Sequence, residues 1–229
     1  AIAIFISRII QAQTEDRTAG RIAGVLFLAI PYVGGWSSLA RVDLLALALS
    51  TGGLAVLTQR GNTPKGIIIG ALLLVAAVYT RQSYGLAAPL AACVWMWHRH
   101  GWRRAAATAG IFGGVGLTLF LVLNFVTKGG FFFNIVTANV NTFKMDNLVN
   151  HWRGLRSTMP ILLALGAAGL GWAIQVLLAT RKTTASTIHS AWLMTGAYVL
   201  GATLSALTIG KIGSNVNYLL ELSAALSLV

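Results

Sequence analysis

Residues 106–127 read AATAGIFGGVGLTLFLVLNFVT, a run of 22 residues without a charged side chain. A membrane-spanning α-helix needs about 20 mostly apolar residues, so this run predicts a transmembrane helix. The whole chain of 229 residues is 56% hydrophobic and 10% charged, with a mean hydropathy of +0.75. These residues include too few polar side chains to cover a water-soluble globule. The sequence therefore predicts an integral membrane protein.

Further apolar segments along the chain predict an all-α fold, a polytopic transmembrane bundle of eight to nine membrane segments. We expect residues 1–229 to form a single transmembrane domain that is truncated at both ends. The first apolar run is too short to span a bilayer, and the chain closes inside another apolar run. The eight predicted segments cover 1–10, 22–38, 42–58, 66–80, 84–97, 106–127, 158–180 and 191–210, and a ninth begins near Tyr218.

The basic residues predict the orientation of the bundle. Ten of the 17 Lys and Arg residues lie in alternate short connections, which the positive-inside rule places in the cytoplasm. These ten are Arg8, Arg17, Arg21, Arg60, Lys65, Arg99, Arg103, Arg104, Arg181 and Lys182. The other seven, which need a different reason to lie on the outer side, are Arg41, Arg81, Lys128, Lys144, Arg153, Arg156 and Lys211.

A formal net charge of +12 could indicate a nucleic-acid partner. The cations are nevertheless divided between two faces of a membrane, so we expect no nucleic-acid partner and favour anionic membrane lipids. The single cysteine, Cys93, has no neighbouring Cys or His at metal-site spacing, and no metal ligand is assigned. The glycines of AGIFGGVGLTLF and LGAAGLGW are predicted to lie at close contacts between helices.

Three cations precede helices that run inward from the outer face: Arg41, Arg81 and Lys211. A helix N-terminus offers free N–H groups and partial positive charge, and a nearby cation adds to its affinity for phosphate. We therefore predict that these residues bind the phosphate of a lipid-linked donor. The alternative is that each one extends to outer lipid headgroups without a shared ligand.

Only five carboxylates occur, and three fall on the outer face: Asp43, Asp146 and Glu221. Arg41 and Asp43 are two residues apart and do not share a helix face, so separate partners are expected for them. Glu221 is predicted to lie about two turns inside an apolar helix, on one face with Asn217. A carboxylate at that depth indicates either a functional site or a structural ion pair.

The long segment 128–157 is predicted to be an extracytoplasmic loop. Its charged and amide side chains favour water, whereas Phe131, Phe132, Phe133, Phe143 and Trp152 favour the membrane interface. Such a segment could act as a lid over a surface site, or it could be an interfacial loop without a catalytic part.

The stretches ARVDLLALALSTGGL, YTRQSYGLAAPLA, FNIVTANVNTF and GSNVNYLLE, in this order, resemble the membrane glycosyltransferases of the GT-C superfamily. Closest are bacterial enzymes similar to protein O-mannosyltransferases and aminoarabinose transferases. The resemblance covers nearly the whole chain and rests on order and topology rather than on one diagnostic motif.

This resemblance implies a multi-pass enzyme of the bacterial inner (plasma) membrane. Its members transfer a sugar from a polyprenyl-phosphate donor to a hydroxyl of a lipid, glycan or protein acceptor on the extracytoplasmic side. The family's principal acid would lie in a loop upstream of Ala1, so the chain alone is expected to be inactive. Asp43 and Glu221 would be supporting catalytic residues that orient substrate or a divalent metal, and Asn217 and Tyr218 would bind substrate hydroxyls.

Two alternatives belong to other classes of membrane protein. A transporter or lipid flippase would place ionisable groups near the bilayer midplane and would often contain two related halves, and the sequence indicates neither. A non-catalytic membrane subunit would tolerate loss of the outer charges. A polymerase or ligase of lipid-linked glycans shares the same donor chemistry and stays an open alternative.

Overall fold

A computed structural model describes residues 1–39, 41–179 and 187–229, and across these ranges the chain is helical. The predicted all-α class is therefore confirmed. The sole β-type pairing in the described ranges is a bridge between Phe143 and Lys211. The α-helices are α1 Ile2–Thr14, α2 Arg17–Ala29, α3 Pro31–Ser37, α4 Val42–Arg60, α5 Pro64–Thr80, α6 Ala87–His100, α7 Trp102–Val126, α8 Gly130–Ile135, α9 Met145–Thr158, α10 Pro160–Ala179, α11 Thr187–Ala206 and α12 Leu220–Leu226.

Several helix starts follow from local sequence. Asp16 caps α2 because its Oδ1 accepts hydrogen bonds from the N–H groups of Thr18 and Ala19, at 2.6 and 3.2 Å. Thr63 caps α5 by accepting from the Gly66 N–H at 3.0 Å. Proline is the first residue of α3, α5 and α10, where its missing N–H leaves no intrahelical bond unmade.

The helices that could cross a membrane number three to five in the part of the chain that is described. Val42–Arg60, Trp102–Val126 and His189–Gly210 are long and apolar enough individually. Two bent pairs, α2 with α3 at 65° and α9 with α10 at 99°, could each form one more span. Several predicted segments correspond to shorter helices, so membrane character is supported while a count of eight to nine spans is not shown.

The core forms where α4 packs along α5, α6 along α11, and α1 along α2. Its largest fully buried side chains include Trp95, Tyr198, Phe27 and Leu47. The small residues Gly20 and Gly24 allow α2 to approach α1 closely. A Cβ atom on either glycine would lie 2.5 or 2.6 Å from a backbone oxygen of α1. This GxxxG spacing is typical of close contacts between membrane helices.

Helix α7 packs against the bundle along one side only, and Thr108 is its sole buried residue. The prediction that the glycines of its AGIFGGVGLTLF stretch mediate close packing is wrong. A Cβ atom at Gly110, Gly113, Gly114 or Gly116 would meet no atom of another helix within 4 Å among residues 1–39, 41–179 and 187–229. In the second predicted stretch, Gly166 and Gly169 do face neighbours, namely Leu226 and Val229, whereas Gly171 faces none among the described residues.

The chain connections gather at two ends of the bundle. At one end, Arg8 and Arg60 line a common cavity, and Gly61 lies against His100. Arg181 and Lys182, also predicted for this end, lie outside the described residues. The other end, called here the site end, holds the connections that precede α4, α6 and α12. This grouping matches the alternation of connections predicted from the sequence, and which end is cytoplasmic stays a prediction.

The long segment 128–157 lies at the site end and is more regular than a loop. It contains α8, a 3₁₀ turn at Thr137–Asn139 and α9. Its extended part pairs with the connection before α12, since the Lys144 N–H donates to the Gly210 carbonyl at 2.8 Å and the Ile212 N–H donates to the Thr142 carbonyl at 3.0 Å. These bonds tie the segment to the bundle.

The close approach of α1 and α2 predicts opposite effects for two glycine substitutions. Gly24→Ala should lower the melting temperature of the detergent-purified protein, because the new methyl group overlaps the backbone of α1 and costs about 1–3 kcal/mol. Gly114→Ala is the matched control and should have no effect or raise the melting temperature slightly, since its methyl group meets open space. Equal shifts for the two variants would contradict this packing.

Candidate functional site

The side chain of Asp43 is the centre of the site end. It lies in the first turn of α4 and is 0% exposed. Its Oδ2 accepts a hydrogen bond from the Trp36 Nε1–H at 3.0 Å, and its Oδ1 accepts one from the Asn217 Nδ2–H at 2.9 Å. A buried carboxylate is stable only where donors or cations replace its lost hydration. Asp43 therefore fixes the positions of groups from three parts of the chain.

Two arginines also contact this carboxylate. Arg81 Nη1 pairs with Asp43 Oδ1, and Arg41 Nε lies 3.4 Å from Oδ2. Arg81 is largely buried, with 13% of its side chain exposed, and its Nε–H donates to Ser83 Oγ at 3.0 Å. Arg41 is 55% exposed. Two guanidinium groups on one carboxylate leave a net charge of one positive unit. Of the two cations, Arg41 is the one that is accessible to a ligand.

Each arginine also lies over an aromatic ring. Arg41 Cζ is 5.2 Å from the ring centroid of Trp36, and Arg81 Cζ is 4.6 Å from that of Tyr218. Such cation–π contacts contribute about 0.5–2 kcal/mol each and restrict the orientation of the guanidinium plane. The cluster of Trp36, Arg41, Asp43, Arg81, Asn217 and Tyr218, called here the Asp43 cluster, thereby joins the ends of α3, α4, α5 and the turn before α12.

The expectation that Arg41 and Asp43 have separate partners is confirmed only in part, because the two side chains also contact each other. It assumed that both residues are helical, which would turn their side chains apart. Arg41 instead precedes the helix with an extended backbone at φ −92° and ψ 156°, so its side chain folds back over the first turn. Asp43 nonetheless has the further partners described above, on α3 and on the turn before α12.

Glu221 lies in a second polar layer, deeper than the Asp43 cluster. It belongs to the first turn of α12, not to a position two turns inside a helix, because a 3₁₀ turn at Val216–Leu219 takes up the residues before it. Its side chain is 4% exposed, and Oε1 has no hydrogen-bond partner among the described residues. The Ser50 side chain and the Ala88 backbone approach this carboxyl group. Tyr84 borders both layers, and its hydroxyl donates to the Asp43 carbonyl at 3.2 Å.

The other predicted site residues are placed differently. Asn217 is buried, and its amide is bound to Asp43, while Tyr218 stacks on Arg81. Lys211 does not join the Asp43 cluster, since its backbone pairs with Phe143 at the edge of the site end. The cluster thus contains Arg41 and Arg81, two of the three cations that were expected to converge.

No group of three or more His, Cys, Asp or Glu residues that could hold a metal ion occurs in residues 1–39, 41–179 and 187–229. Asp43 and Glu221 lie in separate layers, and the oxygens of Asp43 already bind protein donors. A divalent metal at this site would therefore need ligands from substrate, water or additional protein groups.

An apolar groove opens beside the Asp43 cluster, between α5, α7 and α8. Its volume is about 560 Å³, and Arg81 and Gln82 lie at its polar end. Two contacts hold the wall of the groove in place. The rings of Tyr79 and Phe131 stack with their centroids 6.1 Å apart, and the Tyr79 hydroxyl donates to the Gly116 carbonyl at 2.6 Å. The remaining lining residues are Val78, Thr80, Leu117, Phe120 and Ile135.

Sequence reasoning did not identify Trp36 and Tyr84 as members of the site. Both residues bind Asp43, one through its indole N–H and the other through its hydroxyl. The sequence contained an indication of their role. Each is an aromatic residue with a polar atom, and each lies in a short predicted outer connection that also contains a predicted site arginine. Buried Trp and Tyr normally find a hydrogen-bond partner, and Asp43 is the carboxylate nearest to each of them in sequence.

Comparison with known proteins gives no relative: no family model, curated protein or solved structure matches the chain.

The buried ion pair predicts a large stability effect for Asp43→Asn. The substitution leaves the Arg81 guanidinium buried without a counter-charge, which should cost about 3–5 kcal/mol. Thermal unfolding in detergent measures this loss. Asp146→Asn is the matched control and should change stability by less than about 1 kcal/mol, because Asp146 is exposed.

A double variant tests the ion pair between Asp43 and Arg81 directly. Adding Arg81→Gln to Asp43→Asn removes the orphaned charge and should recover part of the lost stability. The pairing would be contradicted if the double variant lost more stability than the two single variants lose when their losses are added.

Proposed function

We propose that this protein is a membrane glycosyltransferase of GT-C-like architecture, with eight to nine membrane segments. It would transfer a sugar from a polyprenyl-phosphate donor to an acceptor hydroxyl at the site end of the bundle. One observation carries the proposal: the Asp43 cluster has a surplus positive charge next to an apolar groove. In a phosphate joined to a long hydrocarbon chain, the phosphate matches the positive charge and the hydrocarbon matches the groove.

The phosphate would bind at Arg41, whose guanidinium is accessible and already held over Trp36. Hydrogen bonds from an arginine to phosphate are charge-assisted, and they strengthen as negative charge develops on the leaving group. Arg81 would contribute at the entrance to the groove, where it lines the cavity while remaining paired with Asp43. Asp43 then acts as a positioning residue that fixes both arginines.

The polyprenyl chain would occupy the groove between α5 and α7. The aromatic side chains of Tyr79, Phe120 and Phe131 give it an apolar wall, and Leu117 borders it on the membrane side of α7. Apolar pockets with one polar end are typical of sites for amphipathic ligands. Phe131 comes from the segment that was predicted to form a lid, so this segment would contribute to donor binding through α8.

The reaction would proceed by attack of the acceptor oxygen on the anomeric carbon of the sugar. The new glycosidic bond forms as the bond between that carbon and the phosphate oxygen breaks, and the polyprenyl phosphate leaves with the bonding electron pair. The hydroxyl proton passes to a general base. Asp43 is poorly suited to that role because its oxygens bind Trp36, Asn217 and the arginines. This supports a principal base contributed by another carboxylate.

Transport is the second candidate, and Glu221 is the observation that favours it. A buried carboxyl group whose Oε1 lacks a hydrogen-bond partner among the described residues is typical of proton and ion pathways in membrane bundles. The two candidates differ in the residues on which activity depends. Transport would depend on Glu221 without a need for Arg41, whereas glycosyl transfer would depend on Arg41.

The proposal predicts that Arg41→Ala lowers turnover of a polyprenyl-phosphate sugar at least about tenfold, since one charge-assisted phosphate contact contributes about 1.5–3 kcal/mol. The assay follows release of polyprenyl phosphate by the full-length protein in membranes, with a panel of polyprenyl-phosphate hexoses and pentoses as donors. Arg103→Ala is the matched control because Arg103 is exposed and distant from the Asp43 cluster. It should leave both turnover and membrane insertion unchanged.

Two outcomes would contradict the proposal. Full turnover in Arg41→Ala would remove the phosphate-site assignment. Equal binding of polyprenyl phosphate and the uncharged polyprenol by the unaltered protein would show that the site does not recognise a phosphate.

The groove predicts a second effect, on the lipid part of the donor. Leu117→Trp should fill the cavity and weaken polyprenyl phosphate binding about tenfold or more, as measured by native mass spectrometry. Leu121→Trp is a closely matched control, because both leucines are on α7 and are 59% and 57% exposed, but only Leu117 lines the groove. Equal loss in both variants would place the lipid elsewhere.

A further inference from the structure

Helix α9 meets α10 at a sharp angle next to a basic cleft. The axes of Met145–Thr158 and Pro160–Val176 differ by 99°. Met159 separates them with φ −139° and ψ 55°, and Pro160 then starts α10. If α10 crosses the bilayer, α9 must lie almost parallel to the membrane surface. Amphipathic helices of this orientation place basic side chains at the level of the lipid headgroups.

Four residues of α9 form one stripe that faces this cleft. Val149, Trp152, Arg153 and Arg156 follow the i, i+3, i+4, i+7 spacing of a single helix face. Together with Leu163 of α10 they line a cavity of about 340 Å³. An adjacent side of α9 packs on the bundle through Leu155, which is fully buried, and Trp152 is half-buried against the same core. The helix is therefore held in place while Val149, Arg153 and Arg156 stay exposed.

The charges of the stripe are not compensated within the described chain. Arg153 and Arg156 are exposed, and neither guanidinium pairs with a carboxylate of the described residues. The indole N–H of Trp152 is buried and has no hydrogen-bond partner in that part of the chain. Two adjacent cations and an unused N–H donor together fit an anion with several oxygen atoms.

The surroundings identify a lipid as the source of that anion. On α10, Leu163 continues into Ala167 and Ile174 along the same helix face, and the latter two are exposed. The cleft thus opens onto an apolar surface that runs away from the arginines. A phosphodiester with attached acyl chains can bind the arginines and also cover the apolar surface, whereas a free phosphate leaves the apolar surface uncovered.

We infer that the cleft between α9 and α10 binds the headgroup of an anionic glycerophospholipid. Arg153 and Arg156 contact the phosphate, the Trp152 N–H donates to one of its oxygens, and an acyl chain lies along Ala167 and Ile174. The site is separate from the Asp43 cluster and does not depend on the proposed transferase activity. It also gives these two arginines a reason to depart from the positive-inside rule.

The test is lipid retention by the purified protein, measured by native mass spectrometry with phosphatidylglycerol and phosphatidylcholine at equal concentrations. The unaltered protein should retain phosphatidylglycerol preferentially. The double variant Arg153→Ala/Arg156→Ala should bind it about tenfold or more weakly, because two charge-assisted contacts are lost. Trp152→Phe keeps an aromatic ring without the N–H and should show a smaller loss, which also tests the site if the double variant does not fold.

The matched control is Arg17→Ala/Arg21→Ala, which removes the same charge from exposed positions of α2. It should retain phosphatidylglycerol normally. Equal losses in the two double variants would overturn the inference, because affinity would then follow net charge alone. Displacement of the lipid by soluble glycerol phosphate would also overturn it, since the site would then recognise a free phosphate. Equal retention of phosphatidylcholine would exclude recognition of an anion.

Discussion

The buried carboxylate of Asp43 is the constraint on which the site end depends. A charge without access to water must be compensated locally, and here the compensation comes from Trp36, Arg81 and Asn217. These partners belong to connections that are far apart in sequence. The electrostatic requirement of one residue therefore fixes the relative positions of helix ends that apolar packing alone would leave free to slide.

The same compensation determines what the site end can bind. The cluster carries more positive than negative charge, and the surplus is accessible at Arg41 beside a groove that suits hydrocarbon. Arg153 and Arg156 form a second basic site with its own apolar extension. Both sites combine a cation with an apolar surface, which would give Arg41, Arg81, Arg153 and Arg156 a reason to lie on the predicted outer side.

Sequence reasoning predicted the helical class and membrane character because long uncharged runs have no stable alternative in a soluble fold. It also selected five residues that the structure brings into one cluster, namely Arg41, Asp43, Arg81, Asn217 and Tyr218. It did not predict that Glu221 lies in the first turn of α12, in a layer separate from Asp43, or that Lys211 is absent from the cluster. Those features depend on 3₁₀ turns and on pairing with residue 143, which local sequence patterns do not specify.

A helix break explains one difference between the predicted segments and the helices. Hydropathy averages over a bend, so residues 22–38 were predicted as one segment although the axes of α2 and α3 differ by 65°. Whether the Asp43 cluster and its groove bind a phosphorylated lipid is tested most directly by photo-crosslinking with a diazirine-bearing polyprenyl phosphate and mapping of the labelled peptides. The account predicts labelling of α5 and α7 around Tyr79 and Leu117, suppressed by unlabelled polyprenyl phosphate but not by polyprenol. Labelling confined to other helices, or labelling that polyprenol suppresses equally, would contradict it.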